Sequence, residues 1–305
     1  MSSAAVTLPR PVFPGSASMV TRRCTQRLCM LRPDRETNNA FVYCLAVAAQ
    51  RHDIDVLNFI QMPNHLHDDA YDRRGNGPAF YRDFHGLLAK CMNALRGRWE
   101  NFFATVQTSV VELRTREDLI NKLVYVATNP VKDGLVANVA DYPGASGYEA
   151  LLTGVPLRAT RPKHFFAEDG DMPKEVTLHV RIPPELGDHD EIVAEVKERV
   201  AAFEREEAKR RAATGQRVMG RNAILRQSWR ASPTSYEPRR GLRPTFAARS
   251  LSAALEAIQR KREFQVEHRR ARLALLAGTP IPFPYGTYGL RRFFNVAVTS
   301  PEKMN

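Results

Sequence analysis

The chain has 305 residues, of which 43% are hydrophobic and 26% are charged, and this composition indicates a folded globular protein rather than a disordered one. Its formal net charge of +12 and pI near 9.8 favour an anionic partner. Four cysteines without a CxxC pair argue against a zinc ribbon or a disulfide scaffold. The longest apolar run is far below the ~20 residues of a membrane span, and no signal pattern opens the chain. We therefore expect a cytoplasmic protein without membrane contact.

The positive charge lies mainly in the C-terminal part of the chain. Residues 201–280 contain 18 Lys and Arg against seven Asp and Glu, a net of +11. Arg dominates this segment, and its guanidinium matches phosphate oxygens in a bidentate manner, which favours nucleic acid over a membrane as the partner. The alternative is a solvated basic helix that binds nothing specific.

The patterns of apolar residues and turn residues predict elements along the whole chain. In chain order they are a loose lead-in (1–18), an outer strand (19–30), a helix from Asp34 or Thr37 to about 50, strands over 54–61 and 65–72, a helix over 79–99, a strand over 108–113, a helix from Thr115 to a break at Asn129–Pro130, a lone strand (176–182) and charged helices over 190–214 and 251–277.

Strands and helices alternate over residues 19–130 around a tight strand–turn–strand unit. This order favours an α+β fold, with helices packed on an antiparallel sheet, and a parallel doubly wound sheet is the alternative. The pattern changes after residue 143. We therefore expect a first domain over 19–150 and a basic, mainly helical accessory or DNA-binding region over 151–305.

His65 and His67 are the first candidate functional residues. Positions i and i+2 of a strand lie on the same face, so the two imidazoles are presented together. Neighbouring imidazoles suggest a metal site. The alternative is that they are ordinary surface or packing histidines.

The helix that begins at Thr115 presents the second candidate, Tyr125. Asp118 is placed to complete a capping box with Thr115. Tyr125 falls outside the apolar stripe of this helix, and Asn129 lies one turn later on the same face as Tyr125, near Lys122. A tyrosine with amide and ammonium neighbours is not placed like a core aromatic. The alternative is a half-exposed ring that covers the edge of the sheet.

Together these residues suggest attack on a phosphodiester. The phenol of Tyr125 is a poor nucleophile, but a divalent cation on a phosphate oxygen makes the phosphorus easier to attack. His65 and His67 would supply two ligands and Asn129 a third, for Mg²⁺ or Mn²⁺. The resulting phosphotyrosine would conserve the energy of the broken bond, so that a strand is nicked and later rejoined.

Four segments resemble the REP-associated tyrosine transposases, a family of single-tyrosine HUH enzymes. They are Gln-Met-Pro-Asn-His-Leu-His at 61–67, Phe84-His85, Asn-Ala-Leu-Arg-Gly-Arg-Trp-Glu at 93–100 and Tyr-Val-Ala-Thr-Asn-Pro-Val-Lys-Asp-Gly-Leu at 125–135. The resemblance covers roughly residues 20–150. It implies an HUH fold with a ferredoxin-like palm, single-stranded hairpin DNA of repeated palindromes as substrate, a divalent metal, a 5′-phosphotyrosine intermediate and a nucleoid-associated place in the bacterial cytoplasm.

By the same resemblance, His65 and His67 correspond to the HUH pair, Tyr125 to the nucleophile and Asn129 to the polar residue that completes the metal site. The chain departs from the usual pattern at Asp68-Asp69, where a buried strand would ordinarily continue with an apolar residue. This extra acid either aids the metal or weakens the strand.

Basic residues near these motifs are candidates for contacts with DNA phosphates. We predict such contacts for Arg22, Arg23, Arg74 and Lys122, with solvated surface charge as the alternative. The subunit arrangement, monomer or homodimer, stays open. Two other functions are compatible with the sequence. One is a binder of structured single strands that no longer cleaves them, and the other is a hydrolase in which the histidines activate water and Tyr125 is incidental.

Overall fold

The computed structural model describes residues 8–235, 245–247 and 251–301. Seven strands lie within these ranges: β1 (Ser16–Arg23), β2 (Ile54–Gln61), β3 (His65–Asp72), β4 (Ser109–Leu113), β5 (Leu157–Thr160), β6 (Glu175–Leu178) and β7 (Phe246–Ala247). The helices in the same ranges are α1 (Arg35–His52), α2 (Gly77–Arg96), α3 (Arg116–Lys132), α4 (Tyr148–Thr153), α5 (His189–Thr214), α6 (Arg221–Arg226), α7 (Leu251–Leu276) and α8 (Gly289–Phe294).

A five-stranded sheet in the order β2-β3-β1-β4-β7 forms the centre of the fold. All pairs in it are antiparallel except β4 with the short β7. The predicted α+β class with an antiparallel sheet is therefore confirmed, and the parallel doubly wound sheet is wrong. A mainly helical, basic region follows this sheet, also as predicted.

Helices cover both faces of the sheet. Phe41 of α1 stacks on Phe59 of β2 and meets Phe84 of α2 edge to face, so α1 and α2 share one face. On the other face, the Asn58 side chain of β2 donates to the carbonyl of Leu123 in α3. β1 is the central strand of the sheet, because β3 pairs with one of its edges and β4 with the other.

The C-terminal region packs on the first 150 residues. Ile192, Val196 and Val200 of α5 are buried in the same hydrophobic core as the sheet, and α5 lies against α3. The Arg199 guanidinium donates to both carboxylate oxygens of Glu117 in α3, at 2.9 and 2.8 Å. The helix that carries Tyr125 is therefore held on its outer side by α5 and on its inner side by the sheet.

Several predicted elements have different bounds in the structure. The outer strand predicted over 19–30 is instead the central strand β1, which ends at Arg23. A short 3-10 turn follows at Thr25–Arg27, in which Gln26 and Arg27 have positive φ angles of 50° and 58°. The helix predicted to reach residue 99 ends at Arg96 and is capped by Gly97, which has a φ of +62°.

The C-terminal half of the sequence prediction also needs correction. The strand predicted to be alone over 176–182 is β6, and it pairs antiparallel with β5, which the sequence pattern did not indicate. The predicted division of the chain at about residue 150 stays a prediction. Among the described residues no helix combines the length and the apolar character needed to cross a membrane.

Candidate functional site

β3 presents two sets of side chains to opposite faces of the sheet. His65, His67 and Asp69 face α3, whereas Leu66 and Asp68 face α1 and α2, as the alternation of a strand requires. The two candidate histidines therefore share one face, as predicted. Their ring centroids lie 4.8 Å apart, with planes at 85°.

Three side chains of α3 lie over these three side chains of β3. The pairs are Asn129 with His65 through a hydrogen bond, Tyr125 with His67 through ring contact, and Lys122 with Asp69 through electrostatic attraction. The spacing matches, because three to four helical residues advance ~5–6 Å and two strand residues ~6.6 Å. α3 thus runs along β3 in the opposite direction, and the Tyr125 ring lies 5.3 Å from the His67 ring between centroids.

α3 begins where the sequence predicts. Thr115 caps it by accepting from the Asp118 backbone N–H at 3.0 Å, and the Asp118 carboxylate accepts from the Thr115 N–H at 3.2 Å. The predicted break at Asn129–Pro130 is wrong, because the helix continues to Lys132 and the chain turns at Gly134, with a φ of +68°. Pro130 lacks an N–H and removes one helical hydrogen bond, but it is buried and does not end the helix.

Neighbouring groups hold the Nδ1 atoms of both imidazoles. His65 Nδ1 donates to Asn64 Oδ1 at 2.7 Å, and His67 Nδ1 is hydrogen-bonded to the Thr21 hydroxyl at 2.8 Å. Thr21 lies directly opposite His67 in the pairing of β1 with β3. Nδ1 of each ring is engaged by these neighbours, and Nε2 is the ligand-binding nitrogen in the tautomer that carries its proton on Nδ1.

Burial keeps both imidazoles neutral at pH 7. It lowers the pKa of His65 to about 4, against a hydrogen bond with Asn129 that raises it, and the charges of Arg23 and Arg27 lower it further. The pKa of His67 is also well below its ordinary value, first because of burial and then because of His65 and the nearby lysines. Neutral imidazole is the form that binds a metal ion.

This set of donors fits a divalent cation. Two neutral imidazoles with oriented Nδ1 atoms are typical metal ligands, and the Asn129 amide lies beside one of them with only 2% exposure. Among the described residues, no group of three or more His, Cys, Asp and Glu could hold a metal. A third protein ligand would therefore be an amide oxygen, such as that of Asn129.

Two lysines flank the half-buried ring of Tyr125. The ammonium nitrogen of Lys132 lies 4.7 Å from the ring centroid, and that of Lys122 lies 5.4 Å from it. Lys132 reaches this position because α3 continues through Pro130, which places it two turns after Tyr125 on the same face. The phenol is therefore in a positive field that suits an anionic substrate.

The two aspartates that follow the histidines lie on opposite faces of the sheet, and both are buried. Burial raises the pKa of Asp68 to about 7, although a hydrogen bond from the Tyr81 hydroxyl at 2.8 Å opposes the rise. Burial and the charge of Asp68 raise the pKa of Asp69 well above its ordinary value, against the attraction of Lys122. β3 continues through both residues to Asp72, so they do not interrupt the strand.

The four predicted phosphate contacts lie in different places. Arg23 lies opposite His65 in the strand pairing, and Lys122 lies beside Tyr125. Arg22 is on the other face of the sheet, where it donates to the Val106 carbonyl at 2.8 Å and to the Thr108 hydroxyl at 3.0 Å. Arg74 follows the far end of β3 and forms an ion pair with Asp53 at 2.7 Å. Only the first two are near the histidines, and the DNA contacts of all four stay predictions.

The sequence reasoning missed three side chains around the site: Thr21, Asn64 and Lys132. Asn64 directly precedes His65, so its contact with the imidazole could have been predicted from the sequence. Thr21 could be found only from the register of β1 against β3, which the sequence does not give.

Comparison with known proteins yields a likeness at the level of solved structures. No family model and no curated protein matches the chain. The chain is similar to a solved structure described as a REP-associated tyrosine transposase bound to a REP hairpin, with 16% sequence identity and a TM-score of 0.41. The similarity covers 58% of this chain and 98% of that one.

Proposed function

We propose that this chain nicks and rejoins single-stranded DNA through a 5′-phosphotyrosine at Tyr125. The observation that carries the proposal is the position of the Tyr125 ring against His67, with Asn129 on His65, within one chain. A nucleophile beside a pair of neutral imidazoles suits transfer of a phosphodiester.

His65, His67 and Asn129 would hold the cation, Mg²⁺ or Mn²⁺. When bound, such a cation withdraws charge from a phosphate oxygen and makes the phosphorus easier to attack. Imidazole ligands favour Mn²⁺ over Mg²⁺ in affinity. Asn64 and the Thr21 hydroxyl would orient the two rings through their Nδ1 atoms.

Tyr125 supplies the nucleophile. Its hydroxyl oxygen forms a bond to phosphorus, the bond from phosphorus to the 3′ oxygen of the neighbouring nucleotide breaks, and that oxygen takes up a proton while the phenol loses one. The result is a strand with a free 3′-hydroxyl and a 5′-phosphate joined to Tyr125. Attack by a 3′-hydroxyl on the phosphotyrosine reverses the step and rejoins a strand without ATP.

Lys122 and Lys132 would stabilise the negative charge of the phosphate during this transfer, since both ammonium groups lie close to the Tyr125 ring. The basic region over 151–305 would hold the hairpin or its flanks through phosphates, and binding should weaken steeply with salt. The Tyr125 ring lies against a histidine of its own chain, which supports a reaction carried out within one chain.

The test is to incubate the full-length chain with labelled hairpin DNA that has single-stranded flanks, in Mn²⁺ or Mg²⁺, and to analyse the products on denaturing gels. We expect a protein–DNA adduct that is lost in Tyr125→Phe and with a chelator, but kept in Tyr148→Phe, a half-buried tyrosine elsewhere. Binding without adduct or cleavage would favour a binder that no longer cleaves DNA. Cleavage that survives in Tyr125→Phe would favour the hydrolase.

A further inference from the structure

The loop between α2 and β4 exposes a tryptophan. Trp99 has 89% of its surface exposed, more than any other large hydrophobic residue in the described part of the chain. Trp99 lies two residues after Gly97, which caps the end of α2. Tryptophan is usually largely buried, so a fully presented indole is typical of a contact surface.

This loop is fixed beside the His65 end of the sheet. Its Phe102 carbonyl accepts from the Thr25 N–H at 2.9 Å, and its Ala104 N–H donates to the Arg23 carbonyl at 2.9 Å. Arg23 is in turn the residue opposite His65 in the pairing of β1 with β3. Three residues span at most ~11 Å of chain, so Trp99 lies close to the anchored Phe102.

Basic residues adjoin the loop that carries Trp99. Arg98 precedes Trp99 in the loop, and the loop binds the backbone of Arg23, the residue opposite His65. Glu100 is the acidic neighbour in the loop. An exposed aromatic ring on a loop that carries basic residues is a combination that binds single-stranded nucleic acid, with bases stacked on the ring and phosphates held by the cations.

We propose that Trp99 is a stacking platform for an unpaired base of the DNA strand that enters the site between His65 and Tyr125. This inference rests on the proposed function and adds a binding position to it. Stacking tolerates any base, so Trp99 contributes affinity rather than sequence preference. From the usual strength of stacking on an aromatic side chain, removing the indole should weaken binding about 10- to 100-fold.

Intrinsic fluorescence can test the inference, because the chain has only two tryptophans. The other, Trp229, is partly buried against the core, with the Arg230 guanidinium 4.8 Å from its ring centroid. In the full-length chain, Tyr125→Phe prevents adduct formation and Trp229→Phe leaves Trp99 as the only emitter. The probe is a hairpin oligonucleotide with single-stranded flanks, and its end label reports binding independently by anisotropy.

We expect the emission of Trp99 to be quenched with the same midpoint as the rise in anisotropy. Trp99→Ala should bind the flanked hairpin about 10- to 100-fold more weakly, and Trp99→Phe should keep part of the affinity. Val106→Ala, which truncates another exposed apolar residue before β4, should leave the Kd unchanged. A blunt hairpin without flanks should bind Trp99→Ala and its parent equally.

The outcomes separate this inference from the proposed function. Binding with unchanged Trp99 emission, or an equal Kd for Trp99→Ala and its parent, overturns the stacking platform alone. If the parent chain binds none of these oligonucleotides, the proposed function fails together with it.

Discussion

Replacing Thr21 with Val tests whether the histidines are organised to bind a metal. The Thr21 hydroxyl is hydrogen-bonded to His67 Nδ1 at 2.8 Å, and His67 itself is only 4% exposed. Valine has nearly the shape of threonine and an equal preference for strands, so β1 should form as before. What disappears is the partner that holds the His67 ring.

The expected magnitude has two parts. A buried polar atom that loses its partner costs ~1–3 kcal/mol of folding stability. Loss of a group that orients a metal-binding histidine lowers metal affinity ~10- to 100-fold. At Mn²⁺ concentrations ~100 times the original Kd, the stabilisation of the folded chain by Mn²⁺ should fall from ~2.7 to ~1.4 kcal/mol or less, since stabilisation follows the logarithm of occupancy.

Calorimetric titration with Mn²⁺ and urea unfolding with and without Mn²⁺ measure the two parts separately. Thr108→Val is the matched control, because the Thr108 hydroxyl accepts from Arg22 on the opposite face of the sheet. We expect this control to keep the original Mn²⁺ affinity. If Thr21→Val binds Mn²⁺ as tightly as the parent chain, the Thr21 hydrogen bond does not orient a metal ligand and the reasoning is refuted.

Three further changes test the fold that supports the site. Thr115→Ala removes the capping box of α3 and should lower stability by ~1 kcal/mol; an unchanged urea midpoint would contradict this. Ile192→Ala empties a fully buried position of α5 and should cost ~2–5 kcal/mol, and a loss below ~1 kcal/mol would mean that α5 is not part of the cooperative core. Burial lowers the pKa of His85 to about 3, so its contribution to stability is full above the unfolded pKa of ~6.5 and is lost as pH falls towards 3. The loss of unfolding free energy between pH 7 and pH 5 should therefore be ~2 kcal/mol smaller in His85→Gln than in the parent chain. An equal loss in both chains would count against a neutral buried His85.

Local patterns in the sequence predicted much of the scaffold. The strands over 54–61 and 65–72 and the helix start at Thr115 agree with the structure, because alternation, helical spacing and capping are properties of neighbouring residues. The end of α3 was not predictable in this way. Pro130 disfavours a helix locally, yet α3 continues past this buried proline to Lys132.

By itself, the sequence determined that His65 and His67 lie on one face of a strand. It also determined that Tyr125 and Asn129 lie on one face of a helix, since each pair belongs to one regular element. Only the tertiary structure decided that α3 lies along β3 with Tyr125 on His67, and that β1 places Thr21 rather than Arg22 on this face. These contacts join residues far apart in the chain. The packing of α3 between the sheet and α5 fixes these contacts, and the patterns of neighbouring residues in the sequence do not predict that packing.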